Sequence, residues 1–120
     1  MKTTDAALRS ALDEWQAGIN AGDPQRVAAA FTDDAIFQGL RPYSVGRQGV
    51  EEYYGSQPPG MTVSYRILES RQPGPGVVLG YIRADFEFRG QAPIPLNIGV
   101  LVQHGPGGWR ISHYQASRIG

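Results

Sequence analysis

The stretch GINAGDPQRVAAAFTDDAIF, residues 18–37, decides how the chain is read. It ends one helix, restarts the chain and opens a strand. Gly22 is a fair helix stop, Asp23 caps a second helix, and Pro24 takes its first position. Val27, Ala30 and Phe31 give this short second helix its apolar side, and Ala35-Ile36-Phe37 reads as a short strand. Upstream, Leu8, Leu12, Trp15 and Ile19 recur at helical spacing and mark one face of a helix over residues 4–20.

Downstream, Gly39 to Ser44 reads as an irregular loop. Residues 47–54 form a third short helix, with Val50, Tyr53 and Tyr54 on its inner side. The texture changes after Pro58-Pro59-Gly60. Residues 61–71, 77–89, 94–104 and 109–119 read as strands. Between them lie Pro73-Gly74-Pro75-Gly76, residues 90–93 and Gly105-Pro106-Gly107-Gly108, which read as turns. Four strands joined by tight turns make an antiparallel meander. Three N-terminal helices followed by a meander define an α+β fold with the helices packed on one sheet face.

Composition narrows the function. The 120 residues are expected to form one domain, 1–120. Eleven basic and eleven acidic residues give a net charge of zero, whereas nucleic acid or an anionic membrane surface calls for a basic excess. The absence of cysteine excludes disulfides, thiolate catalysis and cysteine metal sites. His104 and His113 are too few for a histidine metal cage. No apolar run approaches the roughly 18 residues of a membrane span, and MKTTDAALRSALDEW has no signal-peptide core, so a cytoplasmic location is expected. Phosphate loop, dinucleotide fingerprint, HExxH and GxSxG are all missing. Any catalysis is therefore expected to be proton transfer, with no metal and no cofactor.

The order helix, AGDP helix, DDAIF strand, Gly-Arg-x-x-Val helix and four strands ending in WRISHYQAS resembles the NTF2-like superfamily over essentially the whole chain. GINAGDPQRVAAAFTDDAIF and VGRQGVEEYY are similar to its SnoaL-like and SgcJ/EcaC-type members. Trp109, His113 and Ser117, spaced W-x-x-x-H-x-x-x-S, are similar to that group and to the association domain of calmodulin-dependent kinase. The resemblance implies a cone, with a curved, mostly antiparallel sheet around the long helix and an apolar pocket at the open end. It also implies a homodimer.

Three sets of residues are candidates for the site. In YIRADFEF, Arg83 and Asp85 share a strand face with Tyr81. This resembles the Arg-x-Asp of limonene epoxide hydrolase, and implies Asp85 as proton carrier with Arg83 as its orienting partner. That enzyme's second Asp falls at Tyr114, Gln115 or Ala116 here, and its water-holding Tyr and Asn at Phe37 and Gly39, so the water-activating set is incomplete. The alternative is an exposed or dimer-facing ion pair, with Val78, Ile82, Phe86 and Phe88 forming the inner face. Periodicity leaves both open.

The carboxylate base of ketosteroid isomerases, which also resemble this chain, falls at Gln38 or its neighbour; the Gln38 amide accepts no proton at neutral pH but could hydrogen-bond a ligand. His113 suits proton shuttling. It alternates with Trp109, Ile111, Gln115 and Ser117 onto one face, and Arg110, Ser112, Tyr114, Ala116 and Arg118 onto the other; only one set sees the pocket.

Third, on this fold Trp15, Phe31, Phe37, Tyr43, Tyr53, Tyr54 and Tyr81 project towards the space between helices and sheet, the pattern of an apolar pocket with a few polar points. The catalytic set is thus expected to be Asp85, Arg83 and His113. The ligand set is expected to be Trp15, Phe37, Gln38, Tyr43, Tyr53, Tyr81 and Tyr114. The implied activity is a cofactor-free acid–base enzyme, a cyclase, isomerase, dehydratase or epoxide-opening enzyme, on a hydrophobic oxygenated substrate such as a polyketide or terpenoid. The alternatives are a non-catalytic binder or carrier of a hydrophobic small molecule, and an oligomeric association module.

Overall fold

The structure is a computed structural model and describes residues 3–119. Helix α1 (Thr3–Asn20) buries Leu8, Leu12, Trp15 and Ile19, the face marked by their spacing. The chain reverses at Gly22, whose φ of 65° suits glycine. Asp23 caps α2 (Pro24–Ala29), its carboxylate accepting from the Arg26 N–H at 3.2 Å.

Phe31 does not extend that helix as its apolar pattern suggests. It opens strand β1 (Phe31–Gln38), because Ala30 accepts a hydrogen bond from the Ile111 N–H at 2.8 Å and Phe31 pairs with Ile111. Strand β2 (Ser44–Val45) then folds back on β1. Helix α3 (Arg47–Gly55) comes after it, so two helices lead the chain and the third enters after two strands. The meander is β3 (Thr62–Gly74), β4 (Val77–Glu87), β5 (Ile94–Gly105) and β6 (Gly108–Arg118).

The six strands lie in the order β2-β1-β6-β5-β4-β3. Every pairing is antiparallel except β1 with β6. Bulges shift the register at Leu68 in β3 and at Ser112 in β6, and bulges bend and twist a sheet. The bulge at Ser112 also breaks the alternation of β6, so Ile111 and Tyr114 both face the helices although three positions apart.

On β4 the buried set is Val78, Gly80, Ile82, Ala84 and Phe86; on β5 it is Leu96, Ile98, Val100 and Val102. Helix α1 lies on this face. At Gly80 an added Cβ would stand 2.7 Å from Cδ2 of Leu8, so the glycine sets how closely helix and sheet approach. No helix among the described residues is long and apolar enough to cross a membrane.

Candidate functional site

The site is built on aromatic side chains from five elements. Helix α3 supplies Tyr53 and Tyr54, β6 supplies Tyr114, β1 Phe37, α1 Trp15 and β4 Phe86. Phe37 stacks on Tyr114 with centroids 4.8 Å apart, and Tyr53 meets Phe37 edge-on at 5.0 Å. Trp15 is edge-on to Phe86 at 6.0 Å. Such contacts fix ring positions as well as burying area.

Hydrogen bonds run through the cluster. The Trp15 indole N–H donates to the Tyr54 hydroxyl at 3.0 Å, and the Tyr54 hydroxyl donates to that of Tyr114 at 3.4 Å. Trp15 is fully buried, Tyr114 1% exposed and Tyr54 7% exposed. At the rim, the Leu40 N–H donates to the Tyr53 hydroxyl at 3.1 Å. Gly39 allows this contact, because a Cβ there would overlap the Tyr53 ring.

These residues frame a cleft between α3, the end of β1, the end of β4 and the start of β5. Tyr53, Tyr54 and Tyr114 line it with Gly39, Leu40, Gln57, Met61, Phe86, Phe88, Ile94 and Leu96. Its volume is about 40 Å³, room for a few water-sized groups, each of which needs roughly 10–15 Å³. It therefore accepts one end of a small molecule, and the body of a larger ligand must rest at the mouth. A wider groove of about 340 Å³ at the α1–α2 turn shares Tyr54, Gln57 and Met61 with it. Among the described residues, none that is charged and no histidine lines the cleft. Burial pushes the phenol pKa of both Tyr54 and Tyr114 upward, so both stay neutral hydrogen-bond donors at physiological pH.

The structure divides the expected site residues. Tyr53 and Tyr114 line the cleft; Trp15 and Phe37 are buried behind it. Arg83 and Asp85 do not face it. They pair at 3.1 Å on the opposite, outer face of the sheet, beside the 42%-exposed Tyr81. The reason lies in β4 itself. Ile82, Ala84 and Phe86 must be buried against the helices, so the residues between them point outward.

His113 is registered between Ile36 and Leu101, and Gln38 pairs with Gln115; both stand on that outer face. Tyr43 lies in the loop after β1 and is 66% exposed. The expected trio of Asp85, Arg83 and His113, together with Gln38, Tyr43 and Tyr81, is thus separated from the cleft by the sheet or the loop. Tyr54, at the centre of the hydroxyl chain, was legible as an inner residue of α3 and a member of the aromatic set, but not among the expected ligand residues. Met61, Ile94 and Leu96 gave no sign beyond strand texture, while Phe86 and Phe88 belonged to the alternative reading of β4.

This architecture is the NTF2-like, cystatin-like fold. A ketosteroid isomerase-like protein from Erwinia carotovora atroseptica superposes with a TM-score of 0.81 at 22% identity, covering 100% of this chain and 99% of that one. A protein of unknown function with a cystatin-like fold from Nostoc punctiforme gives 0.85 at 17%, covering 100% and 80%. An NTF-2 like protein of unknown function from Shewanella oneidensis gives 0.81 at 14%, covering 94% and 98%. No protein-family model and no curated protein matches the chain. At these identities the likeness is one of fold, and folds of this kind carry many activities.

Proposed function

We propose that the chain binds a hydrophobic small molecule at the open end of the cone, and that it does so as a binder or carrier, not as an acid–base enzyme. The observation that carries this reading is the cleft's lining: aromatic and aliphatic walls around buried phenols, without a carboxylate or imidazole. Apolar concavities with a few placed polar groups are the usual form of small-molecule sites. The SnoaL-like and epoxide hydrolase likenesses rest on residues, Asp85 above all, that stand on the other face of the sheet and cannot reach a ligand in the cleft. The substrate class narrows too, since a polyketide or terpenoid could place only one end in about 40 Å³. The test is Tyr53→Ala, which removes one wall. Titration with methylenecyclohexane, a small apolar ring, should show binding to the parent protein and at least about tenfold weaker binding to the variant. Equal affinity would refute the site.

A second copy of the chain is the proposed partner, seated on the outer sheet face. Ile36, Leu79 and Tyr81 are each more than 40% exposed there, around the half-buried Leu101. Arg83 and Asp85 supply both signs of charge side by side, so a two-fold related copy meets unlike charges.

A further inference from the structure

Resting on the small-molecule reading of the cleft, the geometry points to a ligand that carries a neutral hydrogen-bond acceptor, such as a ketone, ester or ether oxygen, and places it against the phenols of Tyr54 and Tyr114. The protons of the buried chain outnumber its hydrogen bonds. Trp15 brings one N–H, and Tyr54 and Tyr114 bring one O–H each. The chain they form contains two hydrogen bonds, Trp15 to Tyr54 and Tyr54 to Tyr114. One phenolic proton is left with no acceptor among the described residues. If Tyr114 donates across the 3.4 Å contact instead, the remaining proton is that of Tyr54, and the count is unchanged. Both phenols line the cleft, and both are more than nine-tenths buried.

A buried donor without an acceptor is costly, and native interiors rarely leave one. The other polar groups of the wall, the Tyr53 hydroxyl and the Gln57 amide, are engaged with Leu40 and the Tyr53 carbonyl and bond to neither phenol; the remaining side chains are apolar and offer it nothing. An acceptor oxygen entering the niche completes the chain, and its carbon body then meets the apolar rim. The lining also bears on charge. With no cation in the wall, a carboxylate or phosphate would be desolvated without compensation, so the acceptor is neutral.

The experiment uses two ligands of one shape, cyclohexanone and methylenecyclohexane, which differ in C=O against C=CH₂. Infrared spectroscopy of cyclohexanone bound to the unmodified protein reads the contact directly. The carbonyl stretch should lie at or below its frequency in water, as in a hydrogen-bonded ketone; a frequency like that in cyclohexane would overturn the inference. In the double variant Tyr54→Phe/Tyr114→Phe, cyclohexanone affinity should fall about tenfold while methylenecyclohexane affinity changes less than about twofold. An equal fall for both ligands would also overturn it. Binding of methylenecyclohexane alone would mean that water or nothing meets the proton, which refutes the acceptor and keeps the apolar site. Binding of neither would refute the site itself.

Discussion

Asp85 and Phe86 are consecutive in β4 and leave opposite faces of one sheet. Phe86 packs edge-on to Trp15 beside the cleft, and Asp85 pairs with Arg83 on the outer side. In a strand without a bulge, neighbours admit no other arrangement. The functional reading turns on which of the two faces inward, and the burial of Ile82, Ala84 and Phe86 decides it.

Asp85→Asn should therefore be nearly silent in ligand binding. The ion pair it breaks is partly exposed, and such pairs contribute about 0–1 kcal/mol. Ligand titration and urea unfolding of the variant check both expectations. A large loss of binding with the fold intact would move the site to the outer face.

Gly39→Ala should damage the cleft by steric overlap. The new methyl would overlap the Tyr53 ring, which must swing away and give up its contact with the Leu40 N–H. The expected cost is about 1–3 kcal/mol of stability, with weakened ligand binding. Urea unfolding and methylenecyclohexane titration measure the two. Unchanged values for both would mean that Tyr53 is not held as described.

High pH should unfold the protein through its buried phenols. A solvated tyrosine ionises near pH 10, and the folded-state values of Tyr54 and Tyr114 are raised above that. As pH rises past about 10 the unfolded chain loses these protons first, so stability is intact below that pH and falls above it. The slope reaches about 1.4 kcal/mol per pH unit for each such tyrosine. Tyr65, raised by partial burial and by its hydrogen bond to Asp13, adds in the same sense. Urea midpoints across this range should fall, and fall less steeply in Tyr54→Phe/Tyr114→Phe.

Leu79→Asp should separate the proposed dimer. The side chain is 44% exposed in the single chain and sits in the outer apolar group, where a partner would bury it. Light scattering should give a dimer for the parent protein and a monomer for the variant, with the helical and sheet content retained. A monomeric parent would remove the proposed partner.

Much of the fold is legible in residues 18–37, because helix stop, cap, proline and strand succeed one another with local causes. The limits are equally physical. Phe31 looks helical until β6, distant in sequence, pairs with it. Strict alternation sorts Ile111 and Tyr114 onto different faces, and the bulge at Ser112 reunites them. The face of Asp85 could not be read from β4 alone, since Tyr81-Arg83-Asp85 and Ile82-Ala84-Phe86 are both coherent sets until a helix covers one. The aromatic cluster was visible as composition. The hydroxyl chain was not, because it joins three elements and depends on distances of a few ångströms.

The most direct test is to map backbone amide shifts by NMR as cyclohexanone is added to the protein. The largest changes are expected around Gly39, Leu40, Tyr53, Tyr54 and Met61, with little at residues 79–85 on the outer face. Largest changes around Arg83, Asp85 and His113, or none at the cleft at saturating ligand, would contradict a site on the helix side of the sheet.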